Sequence, residues 1–283
     1  MQLSSAYKEI AAHLETRLQE ALAFDPELPH APVLEAMAYA TLGGGKRLRG
    51  VLAVLSGDLC GVDRTRALTL AAGIECLHAY SLVHDDLPAM DSSDLRRGKP
   101  SVHKAFDEAT AILAGDGLQA LAFELAVESG LSAKGLKAFA IAVGRHGMIG
   151  GQMQDMRAEA GQIAPSFEAL KTLHAAKTGA LIQFSALAGV YLSGDQTHEI
   201  ALKSYGARLG LAFQIWDDVL DVDGSVEVTG KPTGHDTNKI TFVTLMGVEA
   251  ARAEAQSLVD KAKTSLANFA FKEVADFAIR RRS

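Results

Sequence analysis

The sequence predicts an all-α fold, a bundle of about ten helices. Apolar residues recur at three- and four-residue spacing along nearly the whole chain. β-branched alternation is confined to the short VEV at 226–228, and Gly, Pro and Asp gather in short breaks between long periodic runs.

Those breaks fall at FDPELPHAP (24–32), LGGG (42–45), GVD (61–63), LPAMDSSD (87–94), RGKPS (97–101), AGQIAPS (160–166), LSGD (192–195) and the stretch from Asp223 to Asn238. Long helices are expected between them over 64–86, 108–129, 133–158, 167–192, 196–222 and 241–268. Pro88 removes a donor and biases Leu87 away from helical backbone, so the first of these should end near Asp86. No repeat, low-complexity tract or linker divides the chain, and residues 1–283 are expected to form one domain.

Composition narrows the function. The 283 residues are 48% hydrophobic and 22% charged with a net charge of −6, and the basic residues are scattered rather than banked, which argues against a nucleic-acid partner. Cys60 and Cys76 lack a metal or disulfide spacing, as expected for free thiols in a cytoplasmic protein. The N-terminal segment carries charges throughout an amphipathic pattern and does not read as a signal peptide. The apolar stretch from Ala67 to Val83 is interrupted by Glu75 and His78, so no membrane span is expected.

Two acidic clusters carry the chemistry. Asp85, Asp86 and Asp91 lie in HDDLPAMD, and Asp217, Asp218 and Asp221 lie in QIWDDVLD. Each closes an apolar helical run, where the macrodipole is already negative. At about 4 Å and an effective dielectric near 20, a carboxylate pair costs roughly 4 kcal/mol before relaxation. Hard divalent cations offset that cost, and Mg²⁺ is characteristically shared between a few carboxylates and substrate phosphates. Asp217 and Asp221, four residues apart, share one helix face, and Gln214 lies a turn earlier, suited to donating to a phosphate or a metal-bound water.

Basic residues accompany the acids. Arg96 and Arg97 follow the first cluster in DLRRGKP, and guanidinium forks match phosphate oxygens. Lys231 and Lys239 follow the second, while Lys177-Thr178-Gly179 interrupts the 167–192 helix. GGGKRLR (43–49) joins a glycine-rich loop to a helix start carrying Lys46 and Arg49, a geometry suited to an anion. His78 lies seven residues before Asp85 and shares its helix face.

Taken in order, GGGKRLR, SLVHDDLPAMD with DLRRGKP, DEATAILAGD, GQMQD, KTG, FQIWDDVLD and GKPTGHD resemble the short-chain trans-prenyltransferases, the isoprenyl diphosphate synthases, and within them most closely the bacterial enzymes that make the C15 product. The resemblance covers nearly the whole chain. It implies an all-α homodimer with a central cavity that condenses isopentenyl diphosphate head-to-tail with dimethylallyl or geranyl diphosphate to give farnesyl diphosphate. It implies Asp85, Asp91 and Asp217 as magnesium ligands supported by Asp86, Asp218 and Asp221, with three Mg²⁺ per site when substrate is bound. Lys46, Arg49, His78 and Arg97 match positions that hold isopentenyl diphosphate. Arg96, Lys177, Thr178, Gln214, Lys231 and Lys239 match those around the allylic diphosphate. Asp85, Asp86, Asp91, Arg96, Lys177, Asp217 and Lys231 are thereby the expected catalytic set.

Departures from the family pattern are Ser92 and Ser93, where relatives often carry further aspartates, and a shorter segment between Asp236 and Lys239. Product length is expected to depend on Tyr80, five residues and therefore about 7.5 Å below Asp85 along the helix axis, with Ser81 beside it. In the family a bulky aromatic there goes with C15 and a smaller residue with C20. A geranylgeranyl diphosphate synthase, an inactive regulatory subunit of a synthase and a terpene cyclase are the competing readings. The paired motifs and the second basic site speak against the last two.

Overall fold

The computed structural model describes residues 5–223, 240–266 and 268–280. Fourteen α-helices occur among the described residues: α1 (Ser5–Ala21), α2 (Ala31–Leu42), α3 (Leu48–Leu59), α4 (Arg64–Asp85), α5 (Val102–Ala105), α6 (Glu108–Glu128), α7 (Ala133–Val143), α8 (Met148–Glu159), α9 (Phe167–His174), α10 (Ala180–Ser193), α11 (Glu199–Asp223), α12 (Phe242–Met246), α13 (Val248–Ser265) and α14 (Phe269–Arg280). A π-helical turn, Ala175–Gly179, joins α9 to α10.

Two long helices bring the acidic motifs into the bundle. The Asp63 side chain caps α4 by accepting from the Thr65 and Arg66 N–H groups, and the helix stops at Asp85, as Pro88 requires. Between those ends Leu70, Ile74 and Leu77 are fully buried, and α4 packs against α1, α2, α3, α6 and α10. In α11, Leu202, Tyr205, Leu209, Ala212, Ile215 and Val219 form one buried stripe at helical spacing, facing α10, α13 and α14. Each fully buried leucine on such a stripe contributes about 1.5–3 kcal/mol. Among the described helices only α6 is long and apolar enough to cross a membrane by length and composition; its Ala111, Ala114, Leu118, Ala122 and Leu125 are buried.

Three departures from the periodic expectation have local causes. The helix expected over 133–158 breaks into α7 and α8 because Gly144 and Gly147 leave helical backbone. The one expected over 241–268 breaks at Gly247, whose φ of 83° excludes continuation. The RRGKP segment forms a small antiparallel hairpin, β1 (Leu95–Arg96) with β2 (Lys99–Pro100). Arg97 and Gly98 at its tip both have positive φ, the backbone of a tight hairpin turn.

The glycine-rich loop before α3 is fixed by Arg47, which takes a φ of 52° and is buried. Its guanidinium donates to Glu15 on α1 at 2.9 Å and to the Thr41 carbonyl at 2.8 Å. It also lies 3.7 Å from the buried Glu75 carboxylate on α4, which accepts the Gly50 N–H at 2.8 Å. Removing one partner of a buried pair leaves a stranded charge, which costs far more than the pair contributes. Arg47→Ala is therefore expected to lower unfolding stability by about 3–5 kcal/mol, read as a shift of the urea midpoint. An unchanged midpoint would remove Arg47 from this role.

Candidate active site

The first motif is built by the turn that Pro88 forces. The Asp91 N–H donates to the Asp85 carbonyl at 2.9 Å and the Ser93 N–H to that of Asp86 at 3.1 Å, folding the segment back over the end of α4. Asp85 is half-buried and Asp91 exposed. Asp86 is only 2% exposed, and its two oxygens are gripped by the Arg96 fork, with Nε at 3.1 and 3.2 Å. Burial alone would lower the Arg96 pKa, but that bond and the charges of Asp86, Asp85 and Asp91 raise it above the ordinary arginine value. Asp86 thus holds Arg96 in place rather than offering its oxygens outward.

The second motif divides in the same way. Asp217 is half-buried and Asp221 exposed, on the face shared with Gln214. Asp218 falls in register with the buried stripe of α11. Its Oδ2 accepts the Phe242 N–H at 2.8 Å, and Gln214 Nε2 approaches its Oδ1 at 3.5 Å. Gln214 Oε1 in turn accepts from Thr178 Oγ1 at 3.0 Å. The amide expected to meet a phosphate is therefore engaged within the protein, with Thr178 on the facing π turn and Asp218 one turn further along α11. Burial pushes Asp218 up to about 7; the Phe242 N–H opposes this, and the negative charge of Asp217 adds to it.

Between the motifs stands α8. Gln152 Nε2 donates to Asp85 Oδ1 at 2.6 Å, and Lys177 Nζ lies 2.6 Å from Asp155 Oδ2. Sequence reasoning assigned no role to either residue, since both partners are remote in the chain. The π turn that carries Lys177 and Thr178 is wedged between α8 and α11. A Cβ on Gly151 would lie 2.2 Å from the Lys177 backbone nitrogen, and one on Gly210 would lie 2.8 Å from the Gly179 Cα. Only glycine permits so close an approach from both sides. Gln152 thus ties α8 to Asp85 and Asp155 ties it to Lys177, while Thr178, the next residue of the π turn, bonds to Gln214 beside Asp218.

A cationic region adjoins the first motif. Arg49 Nη1 lies 3.4 Å from His78 Nε2, and its guanidinium sits over the Phe213 ring at 6.0 Å. Lys46 sits over the Phe277 ring at 5.8 Å, and its carbonyl accepts from Tyr7. Arg97 donates to the Gly44 carbonyl. Burial, then the charges of Arg49, Arg97, Arg96 and Arg47, hold the His78 imidazole well below its ordinary pKa, so it is neutral at pH 7. Such a concentration of one sign suits an anion.

One to two turns below Asp85, Tyr80 is buried and meets the His84 ring edge-on at 5.3 Å. Burial raises its pKa, with Gln119 hydrogen-bonded to the phenol. Ser81 turns back to donate to the His78 carbonyl at 2.8 Å. Lys231 and Lys239 lie outside the described residues, as do His235, Asp236 and the end of the Arg280–Arg282 tail.

The donor set fits a hard divalent cation: Asp85, Asp91, Asp217 and Asp221 present carboxylate oxygens only, and the Asp217 charge bearing on Asp218 is a repulsion that a cation would relieve. Among the described residues no three acidic, histidine or cysteine side chains converge tightly enough to chelate an ion unaided.

Comparison with known proteins gives a consistent result. The family described as Polyprenyl synthetase matches residues 30–274. A farnesyl diphosphate synthase of Escherichia coli (strain K12) is 44% identical over 252 residues, covering 85% of this chain and 84% of that protein. The apo structure of an FPP/GFPP synthase from Zymomonas mobilis superposes with a TM-score of 0.84 at 41% identity, covering 96% of this chain and 95% of that one. A geranyltransferase from Helicobacter pylori, complexed with magnesium and isoprenyl diphosphate, superposes with a TM-score of 0.81 at 33% identity over 98% and 96% of the two chains.

The Asp218 shift gives a signed expectation. Its folded pKa lies above the unfolded one, so the native state binds the extra proton, and stability falls as pH rises from about 4 to about 7. Three pKa units correspond to about 4 kcal/mol. Asp218→Asn should flatten that slope in urea titrations of metal-free protein at pH 5 and pH 8, and added Mg²⁺ should restore part of the wild-type stability at pH 8. A wild-type slope that is already flat would contradict the assignment.

Proposed function

The chain belongs to the polyprenyl synthetase family, and we propose that it is a trans-prenyltransferase of the farnesyl diphosphate synthase kind, joining isopentenyl diphosphate head-to-tail to dimethylallyl and then geranyl diphosphate. The observation that carries this is the set of contacts by which α8 and the π turn packed on it reach the Asp85 motif and the Asp218 motif, beside a cationic region.

In this reading Asp85, Asp91, Asp217 and Asp221 would hold the Mg²⁺ ions, three when substrate is bound, and Asp86 and Asp218 would support them through Arg96 and the α11–α12 contact. Bound Mg²⁺ supplies Lewis-acid neutralisation of the charge that develops on the departing diphosphate. Arg96 and Lys177 add cationic contacts to the same oxygens, with Lys231 and Lys239 as further members of the set. Thr178 and Gln214 buttress the wall that carries Lys177. Lys46, Arg49 and Arg97 hold isopentenyl diphosphate beside the neutral His78.

The allylic C–O bond breaks with its electron pair going to the diphosphate oxygen. The double bond of isopentenyl diphosphate attacks the resulting allylic cation, and its C2 proton passes to the diphosphate just released. The apolar walls of α4 and α6 exclude water from that cation. Exposed Ile112, Leu113, Ile141, Ile149 and Met153 on α6, α7 and α8 support a homodimer. The thiols of Cys60 and Cys76 are free, in keeping with a cytoplasmic protein.

Chromatography of products from labelled isopentenyl diphosphate with each allylic starter tests the assignment. C15 diphosphate is expected, formed only with Mg²⁺ and abolished by a chelator; absence of condensation would refute it. Tyr80→Ala should open the floor and shift most product to C20 or longer, and unchanged C15 output would show that Tyr80 does not set length.

A further inference from the structure

No step of the reaction above is assigned to a side chain of the GQMQD segment, residues 151–155. Gln152 and Asp155 are three residues apart on α8 and so share one helix face. That face holds one group from each half of the site at 2.6 Å: Asp85 at the end of α4, and Lys177 in the π turn. Asp155 is only 6% exposed, and a carboxylate so buried depends on its cation. Lysine is a point charge on a flexible four-carbon stem, so a fixed anionic partner is what gives it one position. The backbone contributes as well, since Gly151 lies directly against the Lys177 amide.

We propose that Gln152 and Asp155 are positioning residues, which use the rigid rise of α8 to set the spacing between Asp85 and Lys177 and so aim both at one allylic diphosphate. The proposal rests on the prenyltransferase reading. The residue types agree with it. A neutral amide orients Asp85 without cancelling the charge that a cation needs, whereas a lysine there would compete with the ion. Asp155 lowers the net charge that Lys177 offers to a diphosphate, a poor choice for affinity and a sound one for placement. Geometry at the departing oxygen is worth more to the rate than added attraction to the ground state.

The test is steady-state kinetics of the full-length enzyme. Asp155→Asn keeps the side-chain shape and is expected to lower kcat at least tenfold and to raise KM for geranyl diphosphate. KM for isopentenyl diphosphate should stay within twofold and the thermal midpoint near that of the wild type, with Asp155→Glu recovering part of kcat. On a Lys177→Ala background, Asp155→Asn should change kcat less than twofold. Gln152→Leu should raise the Mg²⁺ concentration for half-maximal rate at least threefold, and this variant decides the matter if Asp155→Asn does not fold. Unchanged kinetics in the folded variants, or losses that multiply with Lys177→Ala, would overturn the brace. Wild-type protein that condenses nothing would overturn the prenyltransferase reading, and the brace for that reaction with it.

Discussion

Mutual repulsion of carboxylates at the ends of two apolar helices is the constraint around which this molecule is arranged. Helices α4 and α11 each end where the backbone is already electronegative, and each delivers three acids there. The fold answers in two ways. One acid of each cluster is turned inward and bonded, Asp86 to the Arg96 fork and Asp218 to the Phe242 N–H. The others, Asp85, Asp91, Asp217 and Asp221, are half-buried or exposed. Burial and bonding of the inner acids fix where the outer ones stand, so the site's negative potential is a product of packing.

The cationic side of the site obeys the same logic with the sign reversed. Arg47 and Arg96 are matched by buried carboxylates and serve as fixtures, the first for the glycine-rich loop and the second for the hairpin. Burial first, and then the charges of Arg49, Arg97, Arg96 and Arg47, depress the His78 imidazole. Such a field suits an anion.

Much of this was legible in the residues alone. Pro88 and the GVD break bound α4, the aspartate spacings placed Asp217 and Asp221 on one face, and KTG marked an interruption where the π turn lies. Periodicity states which face a residue occupies, not what stands opposite it. Hence neither the inward bonding of Asp86 and Asp218 nor the contacts of Gln152 and Asp155 were readable, although the register of Asp218 with the stripe from Leu202 to Val219 was a usable signal. The break between α7 and α8 was hidden because isolated glycines are tolerated in helices, and only the packing decides whether they bend. Lys231 and Lys239 fall outside the described residues, so their contribution stays an inference from the family resemblance.

The π turn between α9 and α10 has a consequence for how the chain tolerates change. A π segment is an α-helix carrying one surplus residue, and each residue of an α-helix turns by about 100°. Deleting Ala175 or Ala176 would let the segment close into regular α form. Lys177 and Thr178 would then swing a quarter turn or more away from Asp155 and Gln214, with composition, charge and helix content all nearly unchanged. Such a protein would look intact by circular dichroism and by sequence identity, yet its wall would face the wrong way. The length of this short segment is thus as strict a specification as the identity of the acids it serves.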